Sequence, residues 1–315
     1  MDDVDVAVIG GGPAGLAAAL WAGRYRRTVL LADAGHPRNR WVDHSHGYLG
    51  SDGVRPAELL ERARTELERY PEVRVVRELA DDVRRRDDGR FEVALAGGGS
   101  HLAHRVVLAT GVEDRFPQVA GFFDHYGADV FHCPTCDGYE ARGRQVVVLG
   151  WSEHVAGFAL GLLDWAATLA IVTDGRRFEG DEHHREQLAA HGIRVVEADA
   201  EAFVGRRGEL RAIRLASGDE LPCDMSFFSI AHAPSNGLAE RLGCEMAHEG
   251  CVLVDERAET TVEGVYAAGD LTPGIQLVQV AAAKGAIAGT QAAQSLRGQR
   301  GAATSPTPAP DPEAA

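Results

Sequence analysis

The run Val8-Ile9-Gly10-Gly11-Gly12-Pro13-Ala14-Gly15 restricts the possible folds of this chain more than any other stretch. Residues 4 to 9 are mostly apolar, Ala14 to Arg24 is helical in character, and Thr28 to Ala32 reads as a second strand ending at Asp33. Together they make one βαβ unit carrying the dinucleotide fingerprint. Gly10 permits the tight turn, Gly12 lets a pyrophosphate approach the backbone, Gly15 allows close helix packing, and Asp33 is placed to accept from ribose hydroxyls. Glycines alone would be weak evidence for more than a tight turn. Here the preceding strand, the following helix and the acid at the right distance are all present.

A second unit repeats the first. Gln145 to Leu149 forms a strand, Gly150 turns into a helix from Glu153 to Trp165, and Thr168 to Thr173 makes the next strand. Asp174 lies 24 residues after Gly150, as Asp33 lies 23 after Gly10. The repeat is degraded where a nucleotide would need it: Ser152 and Val155 replace small residues, and bulky Trp151 lies beside the turn. Trp151 either fills space or blocks a dinucleotide.

Between the two units stands Cys133-Pro134-Thr135-Cys136-Asp137-Gly138. Cysteines two residues apart can close into a small disulfide, and a nearby cation or helix N-terminus makes one thiol a nucleophile at neutral pH. Five cysteines are an odd number in a chain with no export signal, so a redox or metal pair is a better use than a disulfide scaffold. Cys223, Cys244 and Cys251 read as small apolar residues. Zinc wants four ligands and no second close pair exists, which disfavours a metal site even with His132 adjacent. His132 could stabilise a thiolate, but neighbouring side chains on a strand face opposite ways, which favours a structural histidine.

The net charge of -15 argues against a phosphate-backbone partner, since nucleic-acid affinity rests on clustered cations. The most apolar stretches, such as Phe158 to Val172, are broken by Asp164 or glycine and fall short of the roughly 18 residues of a membrane span. The acidic start Met1-Asp2-Asp3 is unlike a secretory signal, so a cytoplasmic protein is expected. At 315 residues, about two domains are expected.

Elsewhere the polar stretch Gly35 to Gly53, with Arg38, Asn39, His44 and His46, either covers a cofactor or is a solvated loop. A helix follows over 55 to 70, then strands at 73 to 76, around Val83 and at 91 to 95, and a segment ending Ala109-Thr110-Gly111. Near the end, strand 264 to 268 turns at Gly269-Asp270, where Asp270 can bind a polyol, before a helix from about Gln276 to Leu296. The Ala/Pro/Ser tail, residues 298 to 315, should be disordered.

With the Gly10 to Gly15 box, Ala109-Thr110-Gly111, Cys133 to Gly138 and Ala268-Gly269-Asp270 in that order, the chain resembles the low-molecular-weight thioredoxin reductase family. The resemblance implies an α/β fold of two Rossmann-like dinucleotide-binding domains, three-layer ββα, the second inserted into the first. It places FAD binding in residues 1 to 115 and 246 to 297, with the insert at 116 to 245. It implies that Cys136 lies nearer the flavin, Cys133 exchanges with substrate, and Asp137 is the acid/base residue. Asp270 would hold the ribitol, and Gln279 with Val280 would lie along the flavin ring. Pro13, Ala14, Asn39, His46, Val83, Thr110 and Gly111 complete the expected cofactor set, with no metal. Family members are commonly homodimers.

The departures point further. Where NADPH-using members carry a His-Arg-Arg cluster for the 2′-phosphate, this chain has Thr173, Asp174 and Gly175, and an acid there is repulsive. NAD(P)H binding is therefore doubtful. The chain is similar to the gliotoxin- and holomycin-type dithiol oxidases, which keep FAD and Cys-Pro-x-Cys but drop nicotinamide, although Asp137 stands where those oxidases tend to have histidine. The expected partner is a small-molecule dithiol or disulfide with oxygen as acceptor. The alternative is a thioredoxin reductase acting on a thioredoxin-like protein and fed by NADPH, NADH or ferredoxin.

Overall fold

The computed structural model describes residues 2–298, so all but the first residue of the expected tail lies outside the described residues. The chain opens with β1 (Asp2–Ile9), α1 (Pro13–Arg24), β2 (Val29–Ala32), α2 (Pro56–Leu67) and β3 (Val73–Val76). A meander follows: β4 (Ala80–Arg85), β5 (Phe91–Leu95) and β6 (Ser100–Leu108). β3, β2, β1 and β6 pair in parallel. The C-terminal half of β6 also pairs in parallel with a late strand, Val265–Ala267, while its N-terminal half pairs antiparallel with β5. Side chains of β1 alternate between two cores. Val6 and Val8 pack with α1, and Ala7 and Ile9 pack with the meander side. A central strand covered on both faces explains why this segment reads as an almost unbroken apolar run.

The chain leaves the first unit through β7 (Val112–Arg115), followed by α3 (Phe122–His125), β8 (Val130–Phe131) and α4 (Pro134–Asp137). Next come β9 (Gln145–Leu149), α5 (His154–Gly161), β10 (Thr168–Val172), α6 (Glu182–Ala190) and β11 (Arg194–Val196). A second meander, β12 (Ala200–Arg206), β13 (Glu209–Leu215) and β14 (Glu220–Pro222), leads to β15 (Met225–Phe228). The parallel sheet has the order β11-β10-β9-β15-β8, with α5 and α6 on one face and the meander with an aromatic cluster on the other. Both units are thus Rossmann-like.

β16 (Ala231–Pro234) returns the chain and pairs antiparallel with β7, so two strands side by side join the units. α7 (Gly237–Leu242), then β17 (Val265–Ala267) and α8 (Val278–Ser295) complete the first unit. Leu238, Ala239 and Cys244 pack in the first unit's core, although the sequence-based division puts residues 116 to 245 in the insert. The reason is that the crossing back is made by β16, a short strand without a strong apolar pattern. Two features place the site. Alanine and glycine bring α8 onto α1 backbone to backbone: a Cβ at Gly285 would lie 2.0 Å from the Ala14 carbonyl oxygen. The loop after β2 reaches into the insert, where Trp41 meets Phe123 with ring centroids 5.0 Å apart and Asp43 pairs with Arg207 at 2.8 Å. Among the described residues no helix is long and apolar enough to cross a membrane.

Candidate active site

A cavity of about 620 Å³ lies over the C-terminal ends of the first sheet and extends to the insert. The turn after β1 supplies Gly10, Gly12, Pro13 and Ala14 to its wall. Gly10 has φ +110°, and a Cβ there would sit 2.3 Å from the Ala109 carbonyl oxygen, so only glycine fits. Gly12 has nothing within 4 Å of a would-be Cβ and leaves the backbone open to a ligand. Gly15 lies behind the wall, where its Cβ would meet the Gly10 carbonyl oxygen at 1.7 Å, and so it lets α1 close onto the turn.

Asp33 at the end of β2 is buried at one end of the cavity. It accepts from the Gly35 N–H at 2.8 Å and from Arg64 and Arg77 at 3.0 Å each. Thr110 and Gly111 line the middle, and the Thr110 hydroxyl donates to the Ser235 carbonyl at 2.7 Å. Gly269 and Asp270 come from the turn after β17, and Asn39 and His46 from the loop after β2.

Arg38, which the sequence showed only as one cation in a polar loop, ties this region together. It donates to both Asp114 oxygens at 2.8 and 2.6 Å, to Gln276 Oε1 at 2.6 Å and to Asp270 at 3.2 Å. Burial disfavours both charges of the Arg38–Asp114 pair, but their bidentate contact wins, raising the guanidinium pKa and lowering that of the carboxyl. Asp270 is pushed up by burial, against the pull of Arg38. The signal for this clamp is Arg38 read together with acids 76 and 232 residues away, which no local pattern links.

At the insert side Cys133 and Cys136 are joined as a disulfide and, with Asp137, reach the cavity. Pro134 starts α4, and Cys133 caps it: the Cys136 N–H donates to Cys133 Sγ at 3.1 Å. Asp137 is only 6% exposed, and burial, helped by Glu140, pushes its pKa up to about 8. His132 also lines the cavity and shares a 2.9 Å hydrogen bond with the Tyr126 hydroxyl. Burial pulls its pKa down to about 4 against the pull of Asp114, so it is neutral at pH 7 and offers no cation to a thiolate.

Three expected cofactor residues lie elsewhere. Val83 is buried in the core under the meander; strand alternation and the bulge between Ala80 and Asp82 put Ala80 and Asp81 at the cavity instead. Gln279 is exposed, and neither it nor Val280 lines the cavity, whereas Leu277, Val278 and Ala281 do. Once α8 starts at Val278, positions three apart share a face and those between turn away.

The second turn is built differently. Arg176 lies over the Trp151 ring, 4.0 Å from its centroid, and the Trp151 carbonyl accepts from the Glu179 N–H at 2.8 Å. Trp151 follows the end of β9 and Arg176 the end of β10, so the stack joins the two loops at the strand ends where a dinucleotide phosphate would lie.

Comparison with known proteins agrees with this geometry. A family described as pyridine nucleotide-disulphide oxidoreductase matches residues 4–285. Thioredoxin reductase tcpT of Claviceps purpurea is 32% identical over 314 residues, covering 94% of this chain and 97% of that protein. The crystal structure of HlmI superposes with a TM-score of 0.86 at 35% identity, covering 94% of this chain and 92% of that one. An oxidoreductase from Agrobacterium tumefaciens gives 0.84 at 36% identity, covering 94% and 99%.

Proposed function

The chain belongs to the pyridine nucleotide-disulphide oxidoreductase family as a thioredoxin-reductase-like, FAD-dependent disulfide oxidoreductase, and from that premise we propose that it oxidises a small-molecule dithiol with oxygen as acceptor. One observation carries the proposal: a single cavity joins the open Gly10 turn to the Cys133–Cys136 disulfide, while at the second turn Arg176 stacks on Trp151. In the net reaction the dithiol loses two electrons and two protons to become a disulfide, and dioxygen gains them to become hydrogen peroxide.

The residues present fit FAD. Gly12 and Ala14 would face its pyrophosphate, Asp33 its adenosine ribose and Asp270 its ribitol, with the disulfide at the far end of the same cavity. Bound FAD supplies the two-electron carrier between the cysteine pair and the acceptor. A substrate thiolate attacks Cys133 Sγ and breaks the bond to Cys136, whose sulfur takes the electron pair. The second substrate sulfur then displaces Cys133 as a thiolate, and the Cys136 N–H already meets that sulfur. Asp137 carries a proton at neutral pH and delivers it to the released sulfur. Since its acid form is lost as pH rises through about 8, turnover should fall above that pH. Asp137→Asn should slow dithiol oxidation about 100-fold and abolish that alkaline limb, as read from rates between pH 6 and 9.

The test mixes oxidised holoprotein anaerobically with dithiothreitol or with NADPH or NADH. Dithiothreitol should bleach the flavin and Cys136→Ser should prevent it. Rapid bleaching by micromolar NADPH or NADH would overturn the oxidase reading. That result would favour a reductase, for which the complete β9–α5–β10 unit ending at Asp174 speaks. Cytoplasmic location and a homodimer belong to the same proposal. Three buried free thiols, Cys223, Cys244 and Cys251, support a reducing compartment, and mass photometry reads the oligomer.

A further inference from the structure

Of the 32 lysine and arginine side chains in this sequence, Lys284 alone is a lysine. It stands in the second turn of α8, and its ammonium is directed at the loop that carries Asp270. Nζ donates to the carbonyl oxygens of Pro273 at 2.8 Å, Thr272 at 3.2 Å and Gly269 at 3.4 Å. Three carbonyls converging on one point need three donors on one small tetrahedral atom. A guanidinium presents its donors in a plane, splayed outward, and cannot serve all three. A chain that otherwise uses arginine throughout therefore keeps lysine at the one place where this geometry is required.

The turn so held is the one that matters for the cavity. Gly269 has φ +76°, and a Cβ there would lie 2.8 Å from the Ala14 Cβ, so the turn is seated directly on the start of α1. Asp270 projects from it to pair with Arg38 at 3.2 Å, and it feels the charge of Lys284 as well as that of the repelling acid Asp114. Cys251 is the other titratable group acting on Lys284. Lys284 itself does not line the cavity.

We propose that Lys284 is a positioning residue of the cofactor site: its ammonium fixes the Gly269–Pro273 turn in the shape that presents the Asp270 carboxylate to bound FAD. The inference rests on the reading that FAD occupies the cavity with Asp270 at its ribitol. The positive charge of Lys284 also favours the ionised Asp270 carboxylate, while burial opposes it.

The test strips FAD from the purified protein and titrates it back into wild type, Lys284→Met, Lys284→Arg and Asp270→Asn, reading flavin fluorescence from pH 5 to 8. Lys284→Met should weaken FAD binding about 10- to 100-fold, the effect of losing charge-assisted hydrogen bonds. It should also shift the acid-side loss of binding to higher pH, because Asp270 then ionises less readily. Lys284→Arg keeps the charge but not the convergent donors, and should remain about fivefold or more weaker than wild type. Binding within twofold of wild type in Lys284→Met, with an unmoved acid limb, would overturn the proposal, as would a loss of apoprotein melting temperature unaccompanied by a change in FAD affinity. If Asp270→Asn also binds normally, the site reading has failed; if only Asp270→Asn is impaired, the lysine inference alone has failed. Should Lys284→Met not fold, the folded apoprotein can be partly acetylated, since Lys284 is the one ε-amine in the sequence. Acetyl-Lys284 should be enriched in the fraction that does not retain FAD, and an even distribution would overturn the proposal.

Discussion

The first and second glycine turns each follow a parallel strand of their own sheet, and the first opens onto the 620 Å³ cavity, whose lining includes no residue of the second. Both need a glycine at the start for close packing: a Cβ at Gly10 would meet the Ala109 carbonyl oxygen at 2.3 Å, and one at Gly150 the Ser229 carbonyl oxygen at 2.7 Å. They part company afterwards. α1 begins four residues beyond the end of β1, whereas α5 begins five beyond the end of β9. Gly15 allows backbone contact between helix and turn, while Val155 places a side-chain methyl 2.8 Å from where a Gly150 Cβ would lie. The first helix therefore presses against its turn and the second is held off by a side chain. Topology alone does not make a nucleotide site. The free N–H groups must also face empty space, and beside the second turn Arg176 stacks on Trp151.

The largest effect that could break this comparison belongs to Gly10→Ala. The backbone there is left-handed and the carbonyl of Ala109 blocks any side chain, so FAD affinity of the stripped protein should fall about 100-fold or more by fluorescence titration. Normal binding would mean that the first turn does not hold the cofactor. A smaller effect is expected from Trp151→Gly with Arg176→Ser. Clearing the stack should raise NADH affinity by about tenfold at most, by calorimetry, because α5 remains set back. A larger gain would assign the loss of the site to the stack alone, and no gain would assign it to the backbone. The smallest effect is expected from Gln279→Ala, on the exposed side of α8, with FAD affinity within about twofold of wild type. A large loss would restore the residue to the cofactor site.

Much of the first unit could be read in the chain because its determinants are local. β1, the Gly10 turn and α1 follow from an apolar run, a forced positive φ and helical spacing within some 20 residues. Cys133 and Cys136 are three positions apart, and a helical turn started by Pro134 brings them together. The register of α8 was missed because it depends on where the helix begins, and Leu277 at the cap carries no capping side chain to announce it. Val83, expected at the cofactor from the resemblance, turns into the core after a bulge between Ala80 and Asp82 that no local pattern announces.

The sequence by itself determined the two βαβ units, the paired sulfurs and the acid beside them, since each is a property of neighbouring residues and of backbone angles that particular side chains permit. Only the tertiary structure decided which residues share the cavity. Arg38 meets Asp114, Asp270 and Gln276, Trp41 enters the insert's aromatic cluster, and Lys284 gathers three carbonyls from one turn. Such contacts are set by how helices and sheets pack over long chain separations, and no local periodicity encodes them. The burial that keeps Asp137 protonated near neutral pH has the same origin.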